Sequence, residues 1–300
     1  MVVRTITQCN KVFSAKTPHP LVAVIRLSDT TDIPDSFQFG FHSIWLKKWT
    51  GKTPSCFGGK ECDYNEKTLI ALQSGTPVIR DLCECKAGMS DGLLLCFHSS
   101  VFNPVEKGKE SKYSFFGYRT DESLHLSQRE QAIVERELFE IEEELCWGVD
   151  EYSSTILSER IKLLLDYISR FYCRQFILRH DDNQNVLDRT DEWLDEFFGS
   201  GKARYMPLPT AWDFAEMFGC SPDYFNDLLK HETGKIAEDY VNFKRIARAE
   251  NLLKQGTLRV EEVAAELGFS TDSAFCLLFK KLRGEAPKDV FLASNTDLFS

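Results

Sequence analysis

The sequence predicts an α+β protein: a β domain of short strands with flanking helices, followed by an all-α domain in which two helix-turn-helix units are joined by a long central helix. Three observations lead there. Apolar residues alternate in short runs over roughly the first 120 positions. They then recur at three and four, as on one face of a helix. In the last third, a pattern centred on a glycine occurs twice.

The strand-like runs are LVAVIRL from Leu21, FGFHSIWL from Phe39, TLIAL from Thr68, PVIRDLC from Pro77, LLLCFH from Leu93 and YSFFGY from Tyr113. Turn signals separate them: TGKTP from Thr50, FGG from Phe57, SGTP from Ser74 and SDG from Ser90. Short strands at this spacing suggest a sandwich or barrel. In FGFHSIWL, alternation places Phe39, Phe41, Ser43 and Trp45 on one face and His42, Ile44 and Leu46 on the other.

Two long amphipathic helices follow, from Ser127 to about Cys146 and from Ser154 to about Leu178. The first carries Glu135, Glu137, Glu140, Glu142, Glu143 and Glu144, which read as a solvated face. DDNQN from Asp181 reads as a polar break, LDRTDEWLDEFF from Leu187 as a short helix, and GSGKARYMPLP from Gly199 as a linker. The resulting division is 1–180, a helix and linker over 181–207, a helical domain over 208–292 and a tail over 293–300.

The repeated unit is A215-E-M-F-G-C-S-P-D-Y-F-N-D-L-L-K-H-E-T-G234 and A264-A-E-L-G-F-S-T-D-S-A-F-C-L-L-F-K-K-L-R-G284, preceded in the second copy by Val263. With one extra residue in the second turn, Gly219 aligns with Gly268, Phe225 with Phe275, Leu228 with Leu278, Lys230 with Lys280 and Gly234 with Gly284. Each copy has a first helix, a turn glycine that can take positive φ, and a second helix with an apolar inner face. Ser221 is a natural N-cap, Pro222 suits the first helical position, and Gly234 ends the helix. Thr210 with Asp213 makes a capping box, and Ser270 is the expected cap in the second copy. The segment from Ile236 to Gln255 reads as a helix about 30 Å long. That nearly matches the roughly 34 Å between successive major-groove faces of B-DNA, so one chain could present two helices a turn apart.

Composition narrows the function. A net charge of −10 over 300 residues excludes a surface that is basic throughout, so an anionic partner would have to meet a local patch. No apolar run reaches the roughly 18 residues of a membrane span, and the N-terminus lacks the core of a signal peptide, so a cytoplasmic protein with no membrane partner is expected. The ten cysteines are then expected as reduced thiols. Cys56, Cys62, Cys83 and Cys85 fit none of the usual paired zinc spacings, and the six histidines form no H-x-H pair, so no metal or other cofactor is expected.

The stretch from Leu208 to Phe291 resembles the DNA-binding domain of the AraC/XylS family of bacterial transcription regulators. The matching pieces are S-P-x-Y-F-x-x-L-L-K from Ser221, E-T-G ending at Gly234, K-R-I-x-x-A-x-x-L-L from Lys244, V-A-x-E-L-G-F from Val263, F-x-x-x-F-K-K from Phe275 and G-x-x-P from Gly284. The part before it is similar to members with a cupin-type β-barrel sensor followed by helices, including RFYCRQF from Arg170. The resemblance implies a transcription regulator, not an enzyme, with double-stranded DNA as partner. It further implies a homodimer, contact with RNA polymerase, and a sensor domain for a small-molecule effector or for none. An apolar effector pocket would involve Phe39, Phe41, His42 and Trp45.

Helical phase and the family's matching positions together assign base reading to Tyr224, Asn226 and Asp227 in the first unit, and to Thr271, Asp272, Ser273 and Cys276 in the second. Phosphate contacts fall to Lys230, Lys244, Arg245, Arg248, Lys280, Lys281 and Arg283. The chain departs from the family pattern at three places. Leu277 stands where an arginine is common, Arg259 where a small polar cap is usual, and Val290 with Phe291 where the family closes on an aromatic–arginine pair. Lacking a side-chain acceptor, Arg259 should cost its helix about 1 kcal/mol. From Arg204 to Leu292, twelve Lys and Arg stand against fourteen Asp and Glu, an unusual balance for a DNA-binding domain. Two other classes therefore stay open: an interaction protein whose helix-turn-helix units have lost DNA, and a cupin-type enzyme fused to a helical domain.

Overall fold

The structure, a computed structural model, describes residues 1–15, 19–29, 36–48, 57–79, 92–101 and 112–296. The chain divides into two compact units, Met1–His180 and Asp181–Ser300. In the first unit, β2 (Val22–Arg26), β7 (Gly92–Phe97), β4 (His42–Lys47), β5 (Lys67–Leu72) and β8 (Leu124–Leu126) form an antiparallel sheet in the order β2-β7-β4-β5-β8. A smaller sheet orders β1 (Val2–Val3), β3 (Ser36–Phe39) and β6 (Pro77–Ile79) as β1-β3-β6, with β1 parallel to β3. Among the described residues these two sheets are open, and the expected closed barrel is not formed.

FGFHSIWL is two strands rather than one. The chain breaks at Gly40–Phe41 between β3 and β4, yet Phe39, Phe41 and Trp45 still meet on one side. There they pack with Phe13 and Phe37, and Phe39 stacks on Phe41 at 4.7 Å. His42 lies on the opposite side, 4.8 Å from the ring of Phe116. Phe13 follows α1 (Ile6–Val12), a helix that the strand rhythm did not reveal and that Thr5 caps by accepting the Gln8 N–H. YSFFGY is a 3-10 turn over Ser114–Gly117 instead of a strand. Its consecutive Phe115 and Phe116 are both buried, which an alternating strand would forbid on one face. The end of PVIRDLC, the TGKTP run and most of SDG lie outside the described residues, as do Cys56, Cys83 and Cys85. Among the described residues no cluster of three His, Cys, Asp or Glu could hold a metal. No described helix is long and apolar enough to cross a membrane.

Ser127 caps α2 (Gln128–Cys146), which packs on α3 (Ser153–Leu178). The acidic run of α2 is more than a solvated face. Glu135 holds Lys67 at 2.6 Å, Glu142 holds Arg26 at 2.6 Å, Glu140 holds Arg160 at 2.9 Å, and Glu137 is itself buried. The carboxylates thus bind α2 to the sheet and to α3.

The C-terminal turns of α3 are tied to β8 by a buried polar network. Gln175 accepts the His125 N–H and donates to the Ser123 carbonyl, as a neighbouring strand would. Arg174 donates to the His125 carbonyl at 2.7 Å and forks onto both oxygens of Glu130. Just past the helix, Arg179 pairs with Asp63 at 2.5 Å and donates to the Gly58 carbonyl. Burial alone would raise the Asp63 pKa, but hydrogen bonds and charge from Arg179 outweigh it and leave the carboxyl below its ordinary value.

His125 completes this cluster. Its Nε2 sits 3.1 Å from the Phe57 carbonyl, which can only accept, so the proton is on Nε2 and Nδ1 is the bare, enclosed nitrogen without a partner. A second proton would have no acceptor, and burial accordingly lowers the His125 pKa, with Arg179 and Arg174 adding repulsion and Asp63 at 4.0 Å opposing it. A histidine with lowered folded pKa binds fewer protons than the unfolded chain, so its stabilisation is present above its ordinary 6.5 and is lost as pH falls below it. Protection of the His125 and Gln175 amides against hydrogen exchange is expected to fall between neutral pH and about pH 5, and His125→Asn to flatten that dependence.

Candidate nucleic-acid interface

The second unit begins at Asp181, the second residue of α4 (His180–Gly199). DDNQN is therefore a helix start and not a break: Asp181 and Asp182 lie in the first turn, where the helix dipole favours acids. Leu194, Phe197 and Phe198 enter the core of this unit. The linker-like GSGKARYMPLP also packs, with a 3-10 turn at Lys202–Arg204 whose Ala203 is buried.

The first helix-turn-helix is built as its residues dictate. Thr210 donates its N–H to Asp213 at 2.7 Å at the start of α5 (Ala211–Phe218). Gly219 turns the chain at φ 66°. Ser221 then accepts the Tyr224 N–H at 3.1 Å to cap α6 (Pro222–Thr233), with Pro222 first in the helix. In the second copy, α8 (Val260–Glu266) leads to Gly268 at φ 73°. A Cβ there would also stand 2.1 Å from the Ala203 carbonyl oxygen, so this turn needs glycine for close approach as well as for φ.

Two caps differ from expectation. Thr271, not Ser270, caps α9 (Asp272–Arg283), accepting the Ala274 N–H at 3.2 Å. The extra turn residue displaces the cap by one, keeping it four positions before Phe275 as Ser221 is before Phe225. Arg259 has no acceptor to offer, but Glu262 accepts its N–H at 2.8 Å and its guanidinium at 3.2 Å, supplying the reverse half of a capping box.

The central helix α7 (Ala237–Gln255) is gripped by both copies. Its N-cap residue, Ile236, supplies no side-chain acceptor, and Asn226 of α6 accepts the Ala237 N–H at 2.9 Å instead. Arg245 is 6% exposed, donates Nε–H to the Leu267 carbonyl at 2.7 Å, and lies 3.4 Å from the centre of the Phe269 ring. Burial brings its pKa down to about 10, so it remains charged at neutral pH. Lys244 pairs with Asp191 of α4 at 2.7 Å, and Arg283 of α9 with Glu250 of α7 at 2.8 Å.

These contacts sort the predicted residues. Tyr224 is buried, Asn226 is half-buried and serves as a cap, and Cys276 is half-buried against the core. Asp227 is half-buried, while Thr271, Asp272 and Ser273 are exposed at the start of α9. Lys230, Lys280 and Lys281 are exposed at the C-terminal turns of α6 and α9. Lys244, Arg245 and Arg283 are engaged within the unit, and the Nε of half-buried Arg248 is enclosed without a hydrogen-bond partner. Leu277, singled out in the sequence as a departure at a DNA-contacting position that leaves only apolar contact with a thymine methyl, is exposed on α9, whereas the capping and bracing roles of Asn226 and Arg245 had no sequence signal.

The outward ridges of the two second helices are unlike. On α6 it carries Asp223, Asp227 and Lys230; the matching positions on α9 are Ser273, Leu277 and Lys280, followed by Lys281. Desolvation, and then repulsion from Asp227, raise the pKa of Asp223.

Two helix-turn-helix units around a shared helix define a double helix-turn-helix domain. A family model described as a helix-turn-helix domain matches residues 214–292. The HTH-type transcriptional regulator YijO of Escherichia coli (strain K12) is 32% identical over 108 residues, 36% of this chain and 35% of that protein. The HTH-type transcriptional activator RhaS of Salmonella arizonae is 28% identical over 110 residues, 36% of this chain and 37% of that one. This chain thus covers about a third of the length of these two relatives, one named a transcriptional regulator and the other a transcriptional activator. Among solved structures, the C-terminal domain of AraT, a response regulator from Geobacillus stearothermophilus, covers 36% of this chain and 84% of its own at 24% identity and a TM-score of 0.31. The C-terminal segment is a helix-turn-helix domain of the AraC type.

Asn226→Ala is expected to cost about 1 kcal/mol, as loss of a helix cap does, and to speed hydrogen exchange at the first turn of α7. Arg245→Ala, which strips a charged hydrogen bond from a helix C-terminus, should destabilise the second unit by about 2 to 3 kcal/mol in denaturant titration.

Proposed function

We propose that this chain is a sequence-specific, DNA-binding transcription regulator whose second unit binds duplex DNA through α6 and α9. The observation that carries this reading is the repeat itself, two capped helix-turn-helix units gripping one helix of 19 residues, about 28 Å long. Lys230, Lys280 and Lys281 would meet phosphates, and the exposed first turn of α9 would approach base edges. The first unit would act as the sensing and dimerising part. The side on which β3, β4 and the break between them bring together Phe39, Phe41 and Trp45, or the opposite side at His42, would face a small effector. Contact with RNA polymerase belongs to the same reading.

A second reading has its own observation. Asp223 and Asp227 on the ridge of α6 repel phosphate, which favours an interaction protein with a degenerate DNA-binding domain. Selection from a random-sequence duplex library with the full chain separates the two, since only a working regulator enriches a motif.

On an enriched duplex, Lys280→Ala with Lys281→Ala should weaken binding across all sequences and make the slope of log K against log salt shallower by about 2. Asp223→Asn with Asp227→Asn should tighten binding at low salt; unchanged or weaker binding would mean that these acids face the DNA as acceptors of cytosine amino protons.

A further inference from the structure

We infer that the second helix-turn-helix reads the 5-methyl group of a pyrimidine, thymine in ordinary DNA, through Leu277. This rests on the DNA-binding reading above and names the chemistry by which one half of the domain selects sequence.

Leu277 is 73% exposed on a helix whose inner face is filled by the fully buried Phe275 and Phe279. A single exposed leucine is ordinary. What distinguishes this one is its neighbours. One turn before it stand Ser273 and Ala274, and nearly one turn after it Lys280 and Lys281, all exposed. The middle of the ridge therefore holds no amide, carboxylate or guanidinium long enough to make paired hydrogen bonds with a base edge. The Thr271 hydroxyl, at the helix start, is engaged by the Ala274 N–H. Between Ser273 and the lysines, the exposed side chains are Ala274 and Leu277, which can offer a base only apolar contact. In the major groove, the one apolar feature of a base pair is the thymine methyl.

The matching ridge of α6 has Asp227 where α9 has Leu277, and Asp223 where it has Ser273. The two halves thus present opposite chemistries, and the apolar, cation-flanked ridge is the one suited to close approach. Lys280 and Lys281 hold the backbone while Leu277 covers the methyl. Cytosine methylated at C5 presents the same group and would be accepted in place of thymine at that position.

The test uses the full-length chain and the duplex enriched from the random library. Each thymine is replaced in turn by uracil, which removes only the methyl. One replacement is expected to weaken wild-type binding about fourfold, the equivalent of about 0.8 kcal/mol for one buried methyl-sized group. Leu277→Ala, at an exposed site that leaves the core intact, should bind the thymine and uracil duplexes equally, and Leu277→Arg should shift the preferred base at that position towards guanine. The inference is overturned if the enriched duplex holds no thymine, if every uracil duplex binds the wild type as the parent does, or if Leu277→Ala keeps the discrimination. Failure to enrich any duplex would instead remove the DNA-binding reading and this inference with it.

Discussion

The second unit depends on one buried cation. Arg245 stands midway along α7 and reaches the carbonyl of Leu267, the C-cap residue of α8, while its guanidinium covers Phe269. A helix C-terminus carries orphan carbonyls and partial negative charge, and a guanidinium satisfies both. The aromatic face beside it makes burial of the charge tolerable. The turn at Gly268 follows at once, so the same contact fixes where the second helix-turn-helix leaves its first helix. Its other side is closed by the Ala203 carbonyl, which leaves no space for a side chain at Gly268. The turn is therefore held from two sides by segments distant in sequence.

The first copy is joined to α7 by a different device with a related logic. There an orphan N–H, that of Ala237, is met by Asn226 from α6. One copy thus caps the start of the shared helix and the other is gripped from its middle, while Arg283 and Glu250 add an ion pair between α9 and α7. Polar side chains that a surface reading would assign to a partner are engaged in setting the geometry of the two units.

This is also where the sequence was legible and where it was not. Local devices could be read from neighbours in the chain: Thr210 with Asp213, Ser221 before Pro222, Ser127 ahead of α2, and the turn glycines at 219 and 268. Asn226 and Arg245 could not, because their partners lie 11 and 22 residues away and are backbone atoms, which carry no sequence signal. Helical phase correctly marked Asn226 as off the core, but it cannot tell solvent from a neighbouring helix end. YSFFGY misled because aromatic residues favour strands, whereas here two adjacent rings are buried by a 3-10 turn. RFYCRQF was noted only for its resemblance. Its physical content is that Arg174 and Gln175 bond the edge strand β8, so a helix covers the edge that a sheet would otherwise leave open.

The engagement of cations inside the fold bounds what the second unit can do with a polyanion. Of the seven cations assigned to phosphate, Lys244, Arg245 and Arg283 are held by Asp191, Leu267 and Glu250. Lys230, Lys280, Lys281 and the half-buried Arg248 remain. At about 0.9 released counterions per phosphate contact, four contacts give a salt slope of about 3.6 for one copy, well short of the roughly 10 of a tightly binding repressor. Two copies on one duplex would double that figure by making the same four contacts twice. On the proposed reading, in which the first unit dimerises and the second binds DNA, so small a cation set makes pairing of two copies a lever on occupancy that needs no movement of either recognition helix.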